Sequence, residues 1–74
     1  MKLSQLEKGA QAVIVSVDSQ ELEVALMKYG VVRGDLFTLS DQAPFGGPFA
    51  LEIDGNKVAI RKSDAALIQV KVQA

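Results

Sequence analysis

The chain has 74 residues, with eight basic and nine acidic side chains and a net charge of −1. It carries no cysteine and no histidine, which excludes disulfides, thiolate metal sites and the commonest general base. The length suits one domain, residues 1–74, burying roughly 60–65% of the surface that its unfolded chain exposes. The charges are scattered without runs, so this is not a polycation seeking nucleic acid or anionic lipid. No stretch approaches the length of a membrane span. The polar start Met1–Lys8 is unlike a signal peptide, and the expected location is the cytoplasm.

Leu3 and Leu6 lie three apart with Gly9 following, which predicts a short helical turn ending at that glycine. From Gln11 to Asp18 the β-branched density predicts a strand, with Val13, Val15 and Val17 sharing one face. Ala12, Ile14 and Ser16 form a second, partly apolar face expected against the helix or the N-terminal turn. A helix follows. Asp18 with Glu21, or Ser19 alone, caps its start, and Gly30 suits its end. Leu22, Ala25, Leu26 and Tyr29 make the apolar stripe. Val24 and Met27 fall beside it, and serve either packing within the fold or a second contact surface.

After a turn at Gly34, Phe37 and Leu39 point inward on the next strand, and Thr38 and Ser40 outward. Ala43-Pro44-Phe45-Gly46-Gly47-Pro48 then forms a shaped loop, because proline fixes φ and glycine admits positive φ. Phe49, Leu51 and Ile53 alternate inward on the strand that leaves it. Asp54-Gly55-Asn56-Lys57 is a strong hairpin signal. A turn centred on Asp54-Gly55 sets Glu52 opposite Lys57, whereas one centred on Gly55-Asn56 sets Asp54 there. Val58 and Ile60 face inward on the return strand. Ser63–Ala66 reads as one capped helical turn, and Ile68, Val70 and Val72 complete a last strand. The fold class is mainly β: a small SH3-like, partly open barrel of five short strands with one inserted α-helix and short helical turns. Its unpaired edges leave room for weak self-association.

Catalysis finds no support. Serines are present, but no histidine or cysteine can pair with them. Glu52 and Asp54 could offer oxygen ligands to a hard cation, yet their alternation with core residues suits a solvated strand face better. Gly46-Gly47 lacks the lysine and following helix of a phosphate-binding loop. One tyrosine and three phenylalanines are too few for a nucleic-acid platform or a proline-peptide groove. Protein–protein contact remains, and Phe45 at its rigid corner is either a core plug or an anchor.

The order Leu3-x-x-Leu6-x-x-Gly9, Leu26-x-x-Tyr29-Gly30-Val31-x-x-Gly34, the Pro44–Pro48 loop, and Gly55-x-x-Val58-Ala59-Ile60-Arg61-x-x-x-Ala65-x-x-Ile68-x-Val70 closely resembles the FeoA family. The resemblance spans nearly the whole chain. It implies an SH3-like barrel, a non-enzymatic accessory role in bacterial ferrous iron uptake, and a FeoB-type permease with a cytosolic GTPase domain as partner. It also brings the family's association with transition metals, although no metal ligands or cofactor are nominated here. The departures are Ala25, where relatives often carry a basic residue, and Phe45, where many carry leucine. The expected contact residues are Pro44, Phe45, Gly46, Gly47 and Pro48 of the loop, with Leu26, Met27 and Tyr29 of the helix edge. Arg33 and Arg61 are expected as rim charges. The competing reading is a small-barrel module for nucleic acid or another ligand, without catalysis.

Overall fold

Runs of β-branched and aromatic residues, broken by glycine-bearing turns, form five strands in the computed structural model, which describes residues 1–73. They are β1 (Gln11–Val17), β2 (Leu36–Gln42), β3 (Phe49–Ile53), β4 (Asn56–Ile60) and β5 (Ile68–Val72). A 3₁₀ turn at Leu3–Gln5 precedes β1, helix α1 (Gln20–Met27) lies between β1 and β2, and helix α2 (Lys62–Ala65) links β4 to β5. Every neighbouring pair is antiparallel, in the order β4-β3-β2-β1-β5. No ladder joins β4 to β5 among the described residues, so the barrel is partly open, as expected.

The alternating faces of the central strands meet in one core. Phe37 and Leu39 of β2, and Phe49 and Leu51 of β3, are completely buried with Leu3, Ile14 and Ile68. The tight hairpin places Asp54 (φ 51°) and Gly55 (φ 82°) at its centre, as a type I′ turn demands. Glu52 therefore stands opposite Lys57 and Leu51 opposite Val58. The β2–β3 ladder shifts between Leu39 and Asp41, and Ser40 Oγ donates to the Ala50 carbonyl at 3.1 Å there.

Strand β1 buries the face of Ala12 and Ile14 more deeply than that of its valines. Ala12 and Ile14 are buried, whereas Val15 is 50% exposed and Val13 and Val17 are only half-buried. Two features cause this. Ala12 sits directly across from Phe37, so a small side chain makes room for a large one. The ladder to β5 also shifts between Ile14 and Ser16, leaving Val15 as the extra residue of a bulge. The valines are prominent in the sequence, but the smaller face goes inward.

At α1, Ser19 Oγ accepts the Leu22 N–H at 3.2 Å, while Asp18 accepts from Gln69 Nε2 at 2.7 Å. Ser19 is thus the cap. At the other end Gly30 adopts φ 79°, the Val31 N–H reaches the Leu26 carbonyl at 3.0 Å, and the Gly30 N–H reaches Met27 at 3.0 Å. This is a Schellman turn, and its usual apolar contact is supplied by Leu26 and Val31, both buried. The turn folds Val31 beneath Leu26 and leaves Tyr29, expected in the helix seam, 72% exposed. Ala25 is exposed too and Leu22 half-buried, so the stripe narrows to one anchoring residue. Val24 and Met27 are also uncovered, which removes the packing role considered for them.

Two smaller expectations also change. The 3₁₀ turn ends at Leu6; Gly9 lies in a separate turn and donates its N–H to Leu39 at 2.8 Å. Helix α2 starts at Lys62 with Arg61 at its N-cap and no side-chain cap. On β5, Ile68 and Val70 are buried, whereas Val72 is 47% exposed.

Candidate functional site

Between β2 and β3, the Ala43–Pro48 loop is a closed turn. The Ala43 N–H donates to the Pro48 carbonyl at 3.0 Å and the Gly47 N–H to Pro44 at 3.2 Å. Its central residues, Phe45 (φ 58°) and Gly46 (φ 78°), both lie in the left-handed region. A Cβ on Gly47 would fall 2.5 Å from Ala43 Cβ, so this position excludes a side chain without rearrangement. Pro44 and Pro48 supply fixed φ on either side. Phe45 itself is fully exposed, which rules out the core-plug role. A bulky residue held at positive φ with its ring in water is an outlier whose strain no packing explains.

From Gly46 and Pro48 the surface descends into a hollow bounded by Arg61, Lys62, Ser63 and Ala66. Arg61 also borders a second cleft of about 600 Å³ between α1 and β4. Leu22, Leu26, Val58 and Ile60 give this cleft its apolar walls, and Tyr29 and Lys57 also line it. Arg61 Nε donates to Asp64 Oδ2 at 3.0 Å, holding the guanidinium where the two depressions meet.

The expected contact residues are only partly brought together. Leu26, Tyr29 and Arg61 share the α1–β4 cleft, and Gly46 and Pro48 join Arg61 in the neighbouring hollow. Phe45 projects from the loop, which Pro44 and Gly47 shape. Met27 is exposed but lines neither depression. Arg33 is engaged elsewhere: its Nε and Nη2 donate to Glu23 Oε2 and Oε1 at 2.7 and 3.2 Å. That hydrogen bond lowers the Glu23 pKa, opposed by desolvation and helped to a lesser extent by the charge of the guanidinium; the same bond, with the attraction of the carboxylate, raises Arg33. Leu22, Lys57 and Val58 line the cleft without having been marked for contact. Their alternation announces core or surface, but not that β4 would be a sheet edge beside a helix.

A third hollow, more polar, includes Asp35, Thr38, Glu52 and Asp54. Among the described residues no group of three or more histidine, cysteine, aspartate or glutamate side chains is placed to hold a metal ion. No helix among them is long and apolar enough to cross a membrane.

Residues 1–72 match the family described as the FeoA domain. The chain belongs to the FeoA domain family. It is 36% identical over 73 residues to an Fe(2+) transport protein A/Fe(2+) transporter FeoB fusion protein of Porphyromonas gingivalis, covering 97% of this chain and 9% of that protein. The chain thus spans under a tenth of this curated relative. The solution structure of the FeoA protein from Chlorobium tepidum superposes with a TM-score of 0.91 at 33% identity, over 100% of this chain and 71% of that one. The iron(II) transport protein A of Clostridium thermocellum gives 0.87 at 37% identity, over 97% of this chain and 45% of that one. The SH3-like fold of this FeoA domain is therefore the one expected.

Proposed function

We propose that this FeoA domain is a non-enzymatic accessory protein of ferrous iron uptake, acting in the cytoplasm by binding the cytosolic GTPase region of a FeoB-type permease. The fusion in Porphyromonas gingivalis carries the reading, because a relative of this chain there shares one polypeptide with an Fe(2+) transporter FeoB. Covalent linkage keeps two modules at high effective concentration, which favours a contact between them. The local geometry supports the same reading. A rigid turn that displays Phe45 loses little conformational entropy on binding, and an apolar cleft with a charged rim adjoins it. The domain modulates the permease through contact, and iron is the permease's cargo.

The test is an NMR titration of the isotope-labelled chain with the cytosolic domain of a FeoB-type permease. Shifts should concentrate at Phe45, Gly46 and Gly47 and at Leu26, Met27 and Tyr29. No shift at any of these at high concentration rejects the reading.

A further inference from the structure

The two outer strands of the sheet are not equivalent. Along β5, Lys2 forms a bridge to Gln69, the Val70 N–H donates to the Met1 carbonyl at 2.7 Å, and the Met1 ammonium donates to Val70 O at 3.1 Å. The chain's own first residues thus shield that edge. Strand β4 pairs only with β3 among the described residues.

The hairpin register identifies which groups of β4 are left over. Ile53 and Asn56 flank the Asp54-Gly55 turn, and such a pair exchanges ladder hydrogen bonds. Bonded and non-bonded pairs alternate along an antiparallel ladder. Asn56, Val58 and Ile60 therefore turn their backbone groups toward β3, and Lys57 and Ala59 turn theirs outward. Both residues are exposed. The α1–β4 cleft lies along this edge.

Side-chain direction supplies the specificity. Val58 and Ile60 face the core side, beside Leu22 and Leu26 across the cleft. Lys57, Ala59 and Arg61 repeat on the outer side as a basic–small–basic row. Lys57 takes part in no ion pair among the described residues. The row disfavours a second copy of the same edge, which would bring like charge toward like charge. It favours acidic side chains at the matching positions of an incoming strand.

We infer that β4 accepts an extended acidic–apolar segment of a partner protein as an additional antiparallel strand, with the pattern acidic–apolar–any–apolar–acidic set opposite Lys57 to Arg61. Main-chain bonds to Lys57 and Ala59 hold the segment. Its apolar side chains extend the core against Leu22, Leu26 and Val58, and its carboxylates meet Lys57 and Arg61. This deepens the proposed function by naming the chemistry of the bound segment, and it rests on that function only for the partner's identity.

The test uses the intact chain and a short capped peptide centred on Glu-Val-Thr-Val-Glu. Titration should shift the Lys57 and Ala59 amides and slow their hydrogen exchange. N-methylation of the second Glu and the Thr, which lie opposite Lys57 and Ala59 in an antiparallel strand and whose N–H groups face β4, should weaken binding tenfold or more; N-methylation of the two valines, which face away, should leave it within about threefold. Replacing both glutamates by lysine should abolish binding. Equal loss from both methylated peptides, or binding with the Lys57 and Ala59 amides unmoved, overturns strand addition. Movement of these amides on concentrating the chain alone would assign the edge to a second copy and also overturn it. If a permease cytosolic domain binds but the peptide does not, the accessory role stands and this mode of contact falls. Peptide binding with no response to the permease domain gives the converse.

Discussion

Substituting Phe45 by glycine should make this protein more stable. The ring is fully exposed, so its removal forfeits no burial. Its backbone sits at φ 58°, where a residue with a Cβ is disfavoured by about 1–2 kcal/mol relative to the right-handed region. Glycine removes that conflict but adds about 0.5–1 kcal/mol of unfolded-state freedom. The net gain lies between about 0 and 1.5 kcal/mol, and its middle value of about 0.75 kcal/mol corresponds to a Tm about 3–6 °C higher for a domain of this size. Urea denaturation should show a higher midpoint with unchanged m, and calorimetry the higher Tm. Phe45→Ala is the control: it keeps the Cβ and the strain, so its stability should stay within about 0.5 kcal/mol of the parent. Both variants should weaken permease binding. A loss of 1 kcal/mol or more in Phe45→Gly would refute the reasoning, because it would mean that the ring packs or that the backbone is not left-handed.

Other outcomes follow from the same geometry. Gly47→Ala should destabilise by about 1–3 kcal/mol, as an overpacked position does; adding Ala43→Gly should restore much of the loss, since the 2.5 Å conflict is with that Cβ. Ser19→Ala should remove about 1 kcal/mol by freeing the Leu22 N–H. Because Arg33 lowers the Glu23 pKa in the folded state, their pairing contributes fully above the ordinary glutamate value near pH 4.3 and fades as pH falls through the lower folded value. Glu23→Gln should therefore reduce stability at neutral pH and flatten its dependence on acid, read from melting curves between about pH 6 and 2.

Strand order around the hairpin was legible because its chemistry is local. Asp-Gly fixes a short turn, and Phe49, Leu51 and Ile53 then have one way to face the core. The register was not legible, since either turn keeps apolar residues opposite apolar ones; positive φ at Asp54 and Gly55 selects the one formed. The inward face of strand β1 was not legible, for a non-local reason: Ala12 goes inside because Phe37 lies across from it and the ladder to β5 shifts at Val15. Tyr29 misled in a similar way. Its helical spacing from Leu22 and Leu26 is regular, but the Gly30 turn ends α1 before the stripe can reach the barrel. The site followed this division. The Pro/Gly loop was visible as a motif, whereas the β4 edge depends on which strands find no neighbour.

The chain's two tight hairpins also bear on how it folds. Strands β2, β3 and β4 are joined by turns whose central residues, Phe45 and Gly46, then Asp54 and Gly55, are all at positive φ. Closing this meander requires only short loops, whereas pairing β1 with β5 unites Ala12 with Val72 across almost the entire sequence. Loop-closure entropy and contact order make the meander the natural nucleus and the β1–β5 ladder the late event. Core truncations at Leu39 or Leu51 should then slow folding, while those at Ile68 or Val70 should chiefly speed unfolding. The turn that displays Phe45 would thus form early, before the barrel it decorates has closed.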